Sequence, residues 1–388
     1  MDLSFLFVEG NHYSYNKYKV TSKRGGLMLK NELTTLLKIE YPIIQAPMAG
    51  GVTTTELVVA SSKHGGLGMV GAGYMSGDQL KSQLKEIQKK TKSFGVNLFV
   101  PNEFLVNKTE VNDAKEILHL FHESLLIKEE TTTLPTTETM ANNFREQIQV
   151  IIEARVPVCS FTFGVPKESM IKKLKQNGII IIGTATTVDE AIEIERLGMD
   201  IVVVQGSEAG GHRGNFINET EESMIGLMSL IPQVVDHVTI PVIAAGGIMD
   251  GRGLVAAFAL GAKAVQMGTA FLTTKESGAH NVHKEEILQR KEDETILTRS
   301  FSGKYARGIK NEFIQRMKEH EDSFPQFPIQ NTLTQLIRKA ASKENDKECM
   351  SLWSGQSPRI AKKQTVQQLM EHTITEAENV LNKLDVRL

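Results

Sequence analysis

The sequence predicts a (β/α)8 TIM barrel with an inserted helical segment near its C-terminus. Three observations carry that reading. Eight short apolar runs recur along the chain, as expected of parallel strands buried on both faces. Segments with helical spacing and helix caps lie between the runs, and strands alternating with helices indicate an α/β architecture. Several runs end in glycines and polar side chains, and in a barrel the carboxyl ends of the strands form the active face.

Residues 1–27 are expected to stand outside the fold, as a non-native or disordered extension. Their apolar core, Phe5-Leu6-Phe7-Val8, is too short for a secretory signal, and no small-residue cleavage site follows it. Codons for Arg24-Gly25-Gly26 can spell a purine-rich ribosome-binding sequence just ahead of Met28, which suggests Met28 as the start.

The first helical pattern begins near Leu33. The apolar runs are then Pro42 to Ala49 (PIIQAPMA), Gly66 to Gly73 (GLGMVGAG), Phe94 to Val100 (FGVNLFV) and Val156 to Gly164 (VPVCSFTFG). They continue with Ile179 to Thr186 (IIIIGTAT), Ile201 to Glu208, Pro241 to Ile248 (PVIAAGGI) and Ala264 to Phe271 (AVQMGTAF). Thr187 opens a helix that stops at Gly198, and Asp250 caps one that stops at Gly261. The long third connection holds a Thr-rich patch, Glu129 to Thr139, which lacks periodicity and reads as a mobile surface loop. Residues 276–350 carry charged helices and read as an insertion over the barrel mouth. The pattern of 360–386 then returns as the last barrel helix, so 28–275 and 351–388 form the barrel. A doubly wound open sheet is the alternative, weakened because no G-x-G-x-x-G follows the first run.

Composition narrows the function. The 388 residues fit one barrel with an appendage as well as two domains, and a net charge of −2 leaves no basic footprint for nucleic acid. Cys159 and Cys349 neither build a disulfide framework nor show metal-ligand spacing, which fits a reducing cytoplasm. No apolar stretch approaches the roughly 18 residues of a membrane span.

The strand ends collect the candidate site. They bring Ala46 to Ala49, Asn97, Thr162, Thr184, Gln205 with Glu208 and His212, Gly246-Gly247, and Gln266-Met267-Gly268-Thr269 to one mouth. Glycine-rich ends on the seventh and eighth runs are where barrels often bind phosphate through backbone N–H groups, helped here by the Thr269 hydroxyl. Asn97, Gln205 and Gln266 each offer both hydrogen-bond types to the edge of a ring such as isoalloxazine, with bonding to neighbouring backbone as the structural alternative for any one of them. Three such amides beside a phosphate site favour flavin mononucleotide (FMN), a cofactor that carries the chemistry itself. His212 reads as a base, a proton donor or an anion anchor, with a loop-bonding role as its structural alternative. Met48 and Met267 read as apolar pocket walls, and Lys304 and Arg307 as solvated surface charges.

Together these residues resemble the nitronate monooxygenases, a bacterial FMN-dependent family once called 2-nitropropane dioxygenases. The resemblance runs from about Leu33 to the end. It rests on Ala46-Pro47-Met48-Ala49-Gly50-Gly51, Gly95-Val96-Asn97, Gln205 to Gly214, Ala244 to Gly253, Gln266 to Phe271 and Ser302 to Gly308. It implies flavin contacts at Asn97, Gln205, Gly210, Gly247, Gln266, Met267, Gly268 and Thr269. It also implies one-electron transfer from a nitronate to FMN, then reaction with O2 to give a carbonyl compound and nitrite. The partners it implies are O2 and a small anion, the metabolic poison propionate 3-nitronate. The expected assembly is a cytoplasmic monomer or homodimer.

One departure from the family pattern bears on catalysis. Many relatives read Ser-Phe-His-Phe-Gly after the fourth strand, whereas this chain reads Ser160-Phe161-Thr162-Phe163-Gly164. Thr162 donates a hydrogen bond but is no base near neutral pH, so the expectation is oxidation of the preformed anion rather than of a neutral nitroalkane. Two other classes stay open at this level. One is an NAD(P)H-dependent FMN reductase such as an enoyl-thioester (enoyl-ACP) reductase, whose sites also carry a Glu-x-Gly-Gly-His segment like Glu208 to His212. The other is a non-redox barrel enzyme in which the Gly246 and Gly268 loops hold a phosphorylated substrate.

Overall fold

A computed structural model describes residues 29–128, 133–218 and 220–385. The expected extension 1–27 lies outside the described residues. Strands β1 (Ile43–Gln45), β2 (Gly68–Gly71), β3 (Phe94–Phe99), β4 (Val158–Thr162), β5 (Ile180–Ala185) and β6 (Ile201–Gln205) come first. A two-residue strand, β7 (Gly211–His212), stands apart, and β8 (Val242–Ala245) and β9 (Ala264–Met267) complete the central sheet. Parallel neighbours run β1-β9-β8-β6-β5-β4-β3-β2, and a parallel bridge between Ile44 and Leu67 brings β1 back beside β2. The ring is a (β/α)8 barrel, not an open doubly wound sheet, and each of its strands lies within one of the eight apolar runs.

Strand periodicity explains why those runs are continuously apolar. In β6, Ile201 and Val203 point into the barrel with Ile44, Met69, Ile182 and Ile243, while Val202 and Val204 face the surrounding helices. The helix Glu32–Leu37 plugs the amino-terminal end, with Leu33 and Leu37 in the inner cluster and Asn31 Nδ2 donating to Lys263 O at 2.7 Å. Thr187 and Asp250 cap their helices, Thr187 Oγ1 accepting from Glu190 N at 3.3 Å and Asp250 Oδ1 from Arg252 N at 3.0 Å. The final helix, Val366–Asp385, packs on Gly251–Ala259 and completes the outer layer. No described helix is long and apolar enough to cross a membrane.

Two expectations differ from the structure. The Thr-rich patch is not loop throughout, because Thr136 caps a helix, Thr137–Glu153, with Thr139 returning the bond; residues 129–132 lie outside the described set. Nor is the segment after β9 helical alone. β10 (Thr295–Thr298) and β11 (Ala306–Ile309) pair antiparallel, and β11 continues onto β7, with Ala306 opposite His212. Four-residue strands are too short to print a period on the sequence. A second apolar core, including Leu272, Phe301, Phe313 and Ile337, holds this cover together. It also takes in Leu118 and Phe121 of the helix Lys108–Ser124, from the long third connection.

Candidate active site

The carboxyl ends of the barrel strands open into one cavity of about 360 Å³, roofed by the segment after β9. Within it, the ends of β8 and β9 make a cradle. Gly246 and Gly247 take φ of 132° and 65°, conformations that suit glycine. Gly268 differs: its φ of −101° and ψ of −74° need no glycine. A Cβ there would meet only Ala46 Cβ, at 3.7 Å, so the chain itself has room for a side chain. The space above Gly268 is open cavity, as a cradle for a phosphate group requires.

Neighbouring groups fit that use. Thr269 Oγ1 accepts from Gly355 N at 3.0 Å, and its own proton has no protein acceptor among the described residues. Ser357 Oγ donates to Gly247 O at 3.0 Å and ties the loop 354–357 across the cradle. Gln266 is half-buried and lines the cavity, and its side-chain amide has no protein hydrogen-bond partner among the described residues. Its amide edge is available to a flat polar ligand.

Of the other predicted contacts, Gln205 and Gly210 line the cavity and also hold protein structure, whereas Met267 does not line it. Met267 lies 1% exposed in the outer core, because strand alternation turns it away from the cavity that Gln266 faces. Met48 does line the cavity. Gly210 serves packing: a Cβ there would stand 2.4 Å from Gly355 N. Gln205 organises its own loop, its Oε1 accepting from Gly214 N at 2.8 Å and its Nε2 donating to His212 O at 3.1 Å. Glu208 accepts from Leu227 N at 2.9 Å and supplies the cap that Gly226 cannot. Arg307, expected as solvated charge, is buried and donates to Ser207 O at 3.1 Å, and Lys304 donates to Asn215 Oδ1 at 3.0 Å.

Asn97 and Thr162 work as a pair. Asn97 Nδ2 donates to Ser160 Oγ at 2.9 Å and to Thr162 Oγ1 at 3.1 Å. The Thr162 hydroxyl thus accepts from the protein, and its own proton has no protein acceptor among the described residues. Thr162 lines the cavity as a hydrogen-bond donor.

His212 stands among Trp353, Phe163 and Phe327, with ring centroids 5.4, 6.0 and 6.1 Å away. Its Nε2 lies 2.8 Å from Ser302 Oγ, whose proton is already given to Lys304 O at 2.9 Å. Nε2 must therefore be the donor, and Nδ1 keeps a bare lone pair. Burial first, then the nearby Lys304 and Arg338 charges, push the His212 pKa down to about 3. His283, a second cavity residue, donates from Nε2 to Trp353 O at 2.9 Å, and burial lowers its pKa to about 4.

Both imidazoles are neutral in the fold, and a pH dependence of stability follows. Below about pH 6.5 the unfolded chain protonates these rings while the folded chain does not. Stability therefore falls as the pH drops from about 6.5 toward the folded values of about 3 and about 4. The melting temperature should decline between about pH 7 and pH 5, and His212→Phe or His283→Gln should each flatten the decline. An unaltered slope in both variants would remove the imidazoles as its cause.

Sequence reading missed Tyr74, His283, Asn331 and Arg338, all of which line the cavity. The last three belong to the cover, where ordinary helical patterns carry no mark of what the fold sets beneath them.

A family model described as nitronate monooxygenase matches residues 30–376. A probable nitronate monooxygenase of Staphylococcus haemolyticus is 51% identical over 354 residues, covering 90% of this chain and 98% of that protein. One from Staphylococcus aureus is 48% identical over 354 residues, covering 91% and 98%. Among solved structures, a nitroalkane oxidase from Streptomyces ansochromogenes matches with a TM-score of 0.82 at 38% identity, over 90% of this chain and 99% of that one. FabK from Thermotoga maritima matches with a TM-score of 0.73 at 33% identity, over 92% and 99%. With its barrel intact and the match spanning nearly all of it, this chain is an oxidoreductase that belongs to the nitronate monooxygenase family.

Proposed function

We propose that this chain is an FMN-dependent nitronate monooxygenase that uses O2 to oxidise alkyl nitronates, propionate 3-nitronate foremost, to a carbonyl compound and nitrite. The observation that carries the reading is the Gly268 cradle, where a glycine that the backbone does not require keeps space clear beside Thr269. In this reading the barrel, 28–275 with 351–388, holds FMN at Gly246, Gly247, Gly268 and Thr269, with Gln266 toward its ring, and 276–350 covers the mouth. FMN bound there supplies the electron acceptor for the nitronate.

The chain's own groups place the substrate and shield it. The uncommitted Thr162 proton suits a nitronate oxygen, because an anion accepts strong hydrogen bonds. Phe163, Trp353 and Met48 wall the cavity and limit water. Neutral His212 offers a lone pair at Nδ1, but its pKa of about 3 makes it a base some three powers of ten weaker than free imidazole. Such a site accepts an anion that is already formed. Detoxification in the cytoplasm is the role this chemistry fits. The test is direct: purified protein supplied with propionate 3-nitronate in air should release nitrite, and no nitrite from any nitronate would refute the assignment.

A further inference from the structure

Across the mouth from the cradle stands a cation that the reaction above leaves without a task. Arg338, on the helix Gln335–Glu344, is half-buried and lines the cavity. Its guanidinium is gripped from one side. Nη2 donates to Asn331 O at 2.6 Å and to Asn331 Oδ1 at 3.0 Å, and Nε donates to Thr334 Oγ1 at 3.3 Å. Nη1 has no protein acceptor among the described residues, and it is not among the buried unpaired atoms either, so its N–H groups are accessible. No described carboxylate pairs with it, and burial raises the pKa of the neighbouring Tyr74, which stays a neutral phenol near pH 7.

The placement argues against a role in holding a cofactor phosphate. The Tyr74 ring meets Phe99 of β3 at 5.4 Å, and Phe99 meets Phe163, just after β4, at 4.6 Å. In the ring order, β3 and β4 stand opposite β8 and β9, which carry the cradle. Arg338 also comes from the cover rather than from a strand end. A nitronate carbon beside a flavin lies at strand-end depth, which leaves the other end of the substrate to meet the cover. Unpaired guanidinium N–H groups in an aromatic-walled, partly desolvated setting fit a carboxylate.

Resting on the nitronate reading above, we propose that Arg338 is a specificity-determining residue that binds a carboxylate at the far end of the substrate. The enzyme thereby selects nitronates that carry a carboxylate over plain alkyl nitronates.

The test compares ligands of equal carbon skeleton. Calorimetric titration of the flavin-loaded protein should show 3-nitropropionate binding at least about tenfold more tightly than 1-nitropropane, a modest demand on a charge-assisted pair. Arg338→Met should erase that preference, and Arg338→Lys should keep part of it. In turnover, Arg338→Met should raise the KM for propionate 3-nitronate at least about tenfold with little change in kcat, and leave propyl-1-nitronate unaffected. Equal binding of the two ligands by the wild-type protein would overturn the proposal, whether or not Arg338→Met folds. Equal losses on both nitronates would also overturn it, placing Arg338 at the nitronate group instead. A carboxylate preference without nitrite release would sink the proposed reaction and leave this site standing.

Discussion

Gly268→Leu should yield a folded protein without flavin. A Cβ at this position meets only Ala46 Cβ at 3.7 Å, and φ of −101° lies within reach of any L residue, so the chain itself resists a side chain little. The added atoms instead occupy the volume assigned to the phosphate. They hold it away from the backbone N–H groups and the Thr269 hydroxyl. Hydrogen bonds to a charged group are each worth about 1.5–3 kcal/mol, so losing two lowers flavin affinity on the order of a hundredfold or more. Circular dichroism and melting temperature should stay near wild type while visible absorbance disappears. Full flavin retention by a folded variant would place the cofactor elsewhere.

The second large effect concerns the proton. Wild-type protein should turn over propionate 3-nitronate and leave 3-nitropropionate, whose nitro-bearing carbon keeps its proton, nearly untouched at the same pH. General-base catalysis contributes roughly two to four orders of magnitude to proton abstraction, and neither candidate supplies it. Thr162 is a donor here, its oxygen accepting from Asn97 Nδ2 at 3.1 Å. His212 is held neutral with a pKa of about 3, pinned through Nε2 to Ser302 and fenced by three aromatic rings. Thr162→His should raise activity on 3-nitropropionate by at least about tenfold, toward that range. Equal wild-type rates on the two forms, corrected for spontaneous ionisation, would show a base at work, and Nδ1 of His212 would be the first atom to test.

The barrel was legible because its strands are buried on both faces. Ile201 to Val204 must be apolar at every position, and a continuous run survives inspection of one sequence. The cradle was legible for a related reason, since Gly246-Gly247 and Gly268-Thr269 interrupt such runs at the ends where barrels bind ligands. What stayed hidden depends on tertiary placement. Both Gln205 and Gln266 line the cavity, and nothing in the sequence tells that the Gln205 amide bonds Gly214 and His212 while no described group bonds that of Gln266. The pairing of His212 with β11 needs a partner about ninety residues away, as Ala306 opposite His212 shows. Arg338 sits in an amphipathic helix whose pattern reports the burial of Ile337 and Ala341 and says nothing of the cavity beneath it.

A single sample decides the central claim. Purified protein should be yellow, release one FMN per chain on denaturation, and produce nitrite from propionate 3-nitronate only when O2 is present. NADH added without oxygen should leave the flavin oxidised. Colourless protein that folds would point to a phosphorylated substrate in the Gly268 cradle. Yellow protein that NADH bleaches, with no nitrite from any nitronate, would make this family member a reductase and contradict the proposed reaction.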